Sequence, residues 1–277
     1  MLDQTQPIRR QRVQARAAVS FRTDGTVTRL DNLAQQGSAK AMLPRCHRPD
    51  PEVVFLNTAG GLTGGDQMSF AVDLAEGSKA VATTQTAERA YASLPETGPA
   101  KMSVQLNLAA GAHLDWLPQE TILFDRSALH RETHVNLKGD ASLLWCEMVV
   151  LGRAAMGEVV KTLDFHDLRR VTRDGRPILI EPLRLTTETL EDQSNPAVLG
   201  GATAFATVGY FGSDADRLLS DALAHADGFA AGQASASAWD NKLVVRAKAD
   251  KAWPLRQWLH RLLTDLRRGP LPRVWTL

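Results

Sequence analysis

Three segments of this chain end in the same way. Asp73-Leu74-Ala75-Glu76-Gly77, Asn107-Leu108-Ala109-Ala110-Gly111 and Asn136-Leu137-Lys138-Gly139 each close an alternating apolar/polar stretch and precede another. Alternation of period 2 is the pattern of a strand with one buried face, and glycine just past its end marks a turn. A strand–turn–strand unit therefore recurs at about 30 residues, a length found in stacked β solenoids and layered sheets. Such a unit cannot bury its apolar face alone, so copies must stack. The repeat favours layers of β units over a closed barrel.

The rest of the chain extends this reading. Val13, Ala15, Ala17, Val19 and Phe21 alternate with polar or small residues, and Thr23-Asp24-Gly25-Thr26 carries the Asp-Gly signature of a tight hairpin leading into a return strand at Val27–Leu30. Further strands are expected at Val53–Leu56, Met68–Leu74, Lys79–Thr86, Lys101–Leu108, His113–Leu117, Thr133–Leu137, Ser142–Val150, Val159–Phe165, Pro177–Leu185 and Ser237–Ala249. Two helices are expected near the C-terminus. One spans Asp214–Ala231. The other runs over Asp250–Arg268, where Leu255, Trp258, Leu259, Leu262, Leu263 and Leu266 form an i, i+3, i+4 stripe and Gly269-Pro270 stops it. The fold class is mainly β, a layered or β-helix-like scaffold in one domain. Its β scaffold covers about residues 1–210 and its helix-containing part about residues 211–277.

Bulk properties exclude several classes. With 32 basic and 31 acidic residues the formal charge is +1, which gives no reason to expect a nucleic-acid partner. Nine Lys or Arg among residues 1–48 form a locally basic start, read as a solvated face or a docking surface. Cys46 and Cys146 are the only cysteines, with no Cys-x-x-Cys, so neither a disulfide framework nor a structural zinc site is expected and the default setting is a reducing cytoplasm. No apolar run reaches the length that spans a bilayer, and no signal-peptide core is present.

The densest backbone punctuation is Asn57-Thr58-Ala59-Gly60-Gly61-Leu62-Thr63-Gly64-Gly65-Asp66, with two glycine pairs three residues apart. A phosphate-binding loop would use such glycines as an anion cradle, but it calls for Lys and then Ser or Thr leading into a helix. Here Asp66 and Gln67 lead into an alternating strand. A tight turn between strands is the plainer reading, and a loop that presents the Asp66 carboxylate to an internal polar route is the third.

Catalytic and metal patterns are sparse. His130 and His134 are spaced i, i+4, but in an extended segment that spacing holds them about 13 Å apart. Cys46-His47 is one adjacent pair in a loop, a weak metal site. No Gly-x-Ser-x-Gly or His-Glu-x-x-His occurs, and no nucleophile, base and orienter can be assembled. Two carboxylates interrupt apolar runs: Glu147 within Leu143–Leu151, and Glu181 after Ile178-Leu179-Ile180. A buried carboxylate must be paired, protonated or faced by water. Arg153 and Arg184 are the nearby candidates for pairing. The functional alternative is that Asp66, Glu147 and Glu181 edge a polar path whose oxygen ligands hold a divalent metal loosely.

Six segments together carry a resemblance: Asn57–Asp66, Thr84–Tyr91, Leu117–Phe124, Glu147–Glu158 with its Leu151-Gly152-Arg153 core, Asp174–Glu181 and Leu271–Trp275. In this order they resemble the urease accessory protein UreD family, called UreH in some organisms. One local departure is Thr58-Ala59-Gly60-Gly61, where family members often have Pro-Pro-Gly-Gly. The resemblance implies a non-enzymatic cytoplasmic scaffold of mainly β, helical-layered architecture. It would bind apo-urease with UreF and the GTPase UreG, as a possible dimer within that complex, and help deliver nickel to the di-nickel site through an internal tunnel. It implies no permanent cofactor, transient Ni²⁺, and Asp66, Glu147 and Glu181 as acidic candidates. A phosphate- or nucleotide-dependent hydrolase using loop 57–66 is the competing function.

Overall fold

The structure, a computed structural model, describes residues 11–45 and 50–276. The Cys46-His47 pair therefore lies outside the described residues. In chain order the strands are β1 (Gln14–Asp24), β2 (Val27–Gln36), β3 (Ala39–Met42), β4 (Glu52–Asn57), β5 (Gln67–Leu74), β6 (Lys79–Thr84), β7 (Glu88–Ala90), β8 (Ala100–Leu108), β9 (His113–Leu117), β10 (Thr121–Leu123), β11 (Ser127–Leu137), β12 (Ser142–Leu151), β13 (Leu163–Arg173) and β14 (Arg176–Thr186). A short helix α1 (Thr187–Glu191) leads to β15 (Ala204–Phe211), α2 (Ala215–Asp227), β16 (Gln233–Trp239), β17 (Lys242–Ala249) and α3 (Ala252–Leu266).

The chain winds back and forth between two sheets. The first has the order β14-β13-β11-β8-β5-β1-β2, and the second β16-β17-β15-β12-β9-β6-β4-β3, with β10 beside β12 and β7 beside β10. Passages β5→β6, β8→β9 and β11→β12 each add one parallel strand to each sheet, so the middle of both sheets is parallel. Antiparallel pairs β1–β2, β13–β14, β12–β15 and β3–β4 begin the outer parts.

The repeated Asx-Leu pair with glycine two or three residues after the Leu is the corner of this winding. Asp73, Asn107 and Asn136 lie in register on β5, β8 and β11. The Asn107 amide donates to Asp73 at 2.7 Å, the Asn136 amide to Asn107 at 2.8 Å, and the Thr172 hydroxyl continues the ladder to Asn136 at 2.9 Å. The following leucines, Leu74, Leu108 and Leu137, are buried. Gly77, Gly111 and Gly139 turn the chain with φ of 68°, 70° and 51°, values that any side chain would strain.

Alternation sorts side chains into two apolar layers. Phe21, Phe55, Phe70, Trp116, Trp145 and Phe165 meet between the sheets. Leu144, Cys146, Met148 and Val150 point to the opposite side of β12, where the stripe Leu255, Trp258, Leu259, Leu262, Leu263 and Leu266 of α3 covers them together with α2. Being buried on both faces, β12 is a near-continuous apolar run rather than an alternating one. Among the described residues no helix is long and apolar enough to cross a membrane.

Several boundaries differ from expectation. The single strand expected over Ser237–Ala249 is the end of one hairpin arm and all of the other, β16–β17. Asp240 and Asn241 make the two-residue turn with φ of 47° and 57°, a left-handed conformation that Asp and Asn tolerate. The strand expected at Val159–Phe165 begins at Leu163 and continues to Arg173, while the one expected at Thr133 already starts at Ser127. Helix α1, capped by Thr186, is too short to carry a periodic signal.

Candidate functional site

The inner faces of β11, β12 and β13 are apolar except for the hydroxyls of Ser127 and Thr133 and for four charged rungs. Leu129, Val135 and Leu137 surround Arg131, Trp145 and Val149 flank Glu147, and Phe165 and Val171 bracket Asp167 and Arg169. Each of these four charged residues is no more than 3% exposed, so each needs a partner. They supply one another. Arg131 donates from Nη1 to Glu147 Oε2 at 2.6 Å, and from Nε and Nη2 to the two Asp167 oxygens at 2.9 and 2.7 Å. Arg169 donates from Nη2 to Asp167 Oδ2 at 2.6 Å, and from Nη1 to Glu181 Oε2 and to the Thr207 hydroxyl, both at 3.2 Å. At the outer end Arg246, largely exposed, donates to Glu181 Oε1 at 2.6 Å.

The result is an ion chain of alternating sign, Glu147–Arg131–Asp167–Arg169–Glu181–Arg246, running between the sheets and out to the surface. Burial alone would raise the Asp167 pKa, but Arg131 and Arg169 outweigh it and hold this carboxyl below the ordinary value. Burial would weaken the Arg131 guanidinium, yet Asp167 and Glu147 raise its pKa instead. Arg131 and Arg169 also lie over the Phe165 and Trp145 rings, 5.9 and 5.3 Å from their centroids.

Each end of the chain opens on a cavity. Glu147 and Arg131 line a narrow one of about 40 Å³, together with Asn57, Gly60, Glu88 and Trp116. Glu181, Arg169, Thr207 and Arg246 line a wider groove of about 490 Å³. Glu88 is the second carboxyl of the narrow cavity. Burial pushes its pKa up to about 7, against the lowering effect of hydrogen bonds from the Asn57 amide and the Arg89 backbone N–H.

The glycine loop forms the rim of that cavity, and each glycine pair divides the labour. Gly60 and Gly65 take φ of 80° and 84°. Gly61 and Gly64 allow close approach: a Cβ on Gly61 would collide with the Tyr91 ring and come within 2.7 Å of the Arg89 carbonyl oxygen, and one on Gly64 would lie 2.5 Å from the Gly98 carbonyl oxygen. Most of the loop's backbone N–H groups are committed within the protein. Gly60, Leu62, Gly65 and Asp66 donate to the carbonyls of Asn57, Arg89, Pro99 and Thr63, and Thr63 donates to the Asp66 carboxylate. Donors so committed do not make an anion cradle.

The three acidic residues singled out in the sequence do not converge. Asp66 is buried, and its oxygens accept the backbone N–H groups of Val13 and Thr63 at 2.8 and 2.9 Å, clasping the loop to the start of β1. Glu147 and Glu181 sit at different positions along the ion chain. Their partners are also not the arginines nearest in sequence: Arg153 pairs with Glu158, while Glu147 takes Arg131 and Glu181 takes Arg169 and Arg246. Arg131, Asp167, Arg169 and Glu88 were not anticipated. The available signal was the interruption of apolar alternation at Leu129-x-Arg131 and Phe165-x-Asp167-x-Arg169-x-Val171.

This buried polar seam rimmed by the double-glycine loop comes with a match to the UreD urease accessory protein family over residues 13–276. The chain belongs to the UreD family. Proteins named urease accessory protein UreD from Cereibacter sphaeroides and Dinoroseobacter shibae are 51% and 52% identical to it, across 96% and 95% of this chain and 95% and 91% of theirs. A UreD protein of Jannaschia sp. is 44% identical over the full length of both chains. UreD membership places the chain among the accessory proteins of urease maturation, and it ties the seam and its two cavities to a UreD scaffold.

Proposed function

We propose that this chain is a cytoplasmic urease maturation chaperone, a scaffold that binds apo-urease together with UreF and UreG and assists nickel delivery to the urease active site. The observation that carries the reading is the ion chain joining two cavities through the interior of a UreD-family protein. In this reading the protein works by binding, and the charges of the ion chain neutralise one another while no cation is present.

The chemistry suits a divalent cation in transit. Carboxylate oxygens bind such ions without the tight geometry of a thiolate site. While no cation is present, Arg131 and Arg169 are the counter-charges that let Glu147, Asp167 and Glu181 stay ionised between the sheets. Swinging Arg131 aside uncovers Glu147 and Asp167 together, and a cation arriving from the Glu88 side replaces the lost positive charge. In this proposal Glu147 and Glu181 handle the metal, and Asp66 holds the mouth of the route in shape.

The test is co-expression with urease and its accessory proteins, followed by nickel per urease active site for Glu147→Gln and Glu181→Gln. Both variants should assemble the complex and load less nickel than the wild type. Normal loading by both, with assembly intact, would sink the route.

A further inference from the structure

The outer face of the first sheet carries a separate cluster. Strands β11 and β13 run parallel in register, which sets His130 directly beside His166. Their rings stack with centroids 4.3 Å apart and planes 15° from parallel. Asp164 lies two residues before His166 on the same face. Its Oδ2 is 3.1 Å from His130 Nε2 and its Oδ1 is 3.2 Å from His166 Nε2. One ligand atom from each of the three lies within 4.8 Å of the others, a grouping of His, Cys, Asp or Glu found nowhere else among the described residues.

We propose that His130, Asp164 and His166 form a surface site for one divalent cation of the borderline class, Ni²⁺ or Zn²⁺, held by two imidazole nitrogens and one carboxylate oxygen. A metal about 2.1 Å from each ligand needs neighbouring ligand atoms about 3.0–3.4 Å apart. The two Asp164–histidine separations already meet that condition, so closure asks only for small side-chain rotations that bring the imidazole nitrogens together. Two imidazoles to one carboxylate favour nickel, copper or zinc over magnesium and calcium. The side chains are 35%, 45% and 39% exposed, while the His166 Nε2 atom itself is shielded and has no hydrogen-bond partner, a nitrogen that a metal ion would satisfy, and three protein ligands leave positions for water or for a donor from a partner protein. Lys101 on β8 and Arg184 on β14 are the register neighbours of His130 and His166 and keep a second cation from settling alongside. Stability does not account for the arrangement, because exposed ion pairs contribute little. The site lies on the face opposite the buried ion chain, so the two readings stand or fall separately.

The experiment is calorimetric titration of the full chain, free of affinity tags, with Ni²⁺ alone and then Zn²⁺ alone. His130→Gln, His166→Gln and Asp164→Asn should each weaken binding about tenfold or more, in line with the sensitivity of metal sites to single partners. Asp24→Asn, in the exposed β1–β2 turn away from both sites, should leave the titration unchanged, and Mg²⁺ should not compete. Electron paramagnetic resonance of the wild-type chain with one equivalent of Cu²⁺ reads the ligands without any substitution and should show coupling to two imidazole nitrogens. Absence of Ni²⁺ and Zn²⁺ binding, histidine variants that titrate like the wild type, or a copper spectrum without nitrogen coupling would each overturn the proposal.

Discussion

Asp167 and Glu88 show how differently two carboxyls fare in one interior. Asp167 receives three hydrogen bonds from two guanidiniums, which hold its pKa below the ordinary 3.8 in spite of burial. A carboxyl depressed in this way adds stability above its unfolded pKa, and that stability is lost as pH falls through the folded value. Asp167→Asn should therefore cost about 3–5 kcal/mol at neutral pH in urea denaturation, because it leaves Arg131 and Arg169 short of counter-charge. The variant should also lack part of the wild type's decline in acid below about pH 4. Glu88 behaves in the opposite sense. Its pKa rises from 4.5 to about 7, so between these values the folded protein holds a proton that the unfolded chain has released, and stability falls as pH rises through that window. Thermal melts should show Glu88→Gln gaining about 1–2 kcal/mol above pH 7, a figure discounted for partial exposure, and gaining nothing below pH 4.5. Neither behaviour can be read from the residue alone, since Asp167 lies 36 positions from Arg131 and Glu88 lies 31 from Asn57.

At the scale of elements, the turns were the most legible part. The Asx-Leu corners with their glycines, the Asp24-Gly25 hairpin and the α3 stripe follow from short-range rules of glycine conformation and apolar spacing, and the structure places them where those rules put them. The glycine loop was legible as a constrained strand connection, but its glycines are not equivalent. Gly60 needs only its positive φ and has open space around a Cβ, whereas Gly61 is pressed against Tyr91 and Arg89. Gly60→Ala should cost about 1–2 kcal/mol, the left-handed penalty. Gly61→Ala should cost more, about 3 kcal/mol, because the Tyr91 ring must move. Equal midpoints for the two variants in urea denaturation would contradict this ordering. Strand ends were less legible, and the Asp240-Asn241 turn was missed because both residues are also common in exposed strand ends and loops without turning the chain.

The whole molecule is a stack of sheet, sheet and helices, and β12 at its centre serves both apolar layers. Trp258 is 1% exposed, stacks on Phe229 with ring centroids 4.9 Å apart, and donates to the His225 carbonyl at 2.8 Å, so it joins α3 to α2 over the second sheet. Trp258→Ala should cost about 3–5 kcal/mol by thermal or urea unfolding, as for other large buried aromatics. The amino-acid sequence by itself determined the mainly β class, the roughly 30-residue winding, the two C-terminal helices and the family, because periodicity, turn chemistry and ordered motifs are local properties of the chain. Tertiary structure alone decided that Asp66 clasps a loop, that Glu147 meets Arg131 rather than Arg153, and that His130 lies against His166 rather than sharing a site with His134. The physical reason is strand stacking: residues some 30 positions apart become neighbours only when successive turns of the winding come into register, and charge pairing is settled at that distance in space rather than along the sequence.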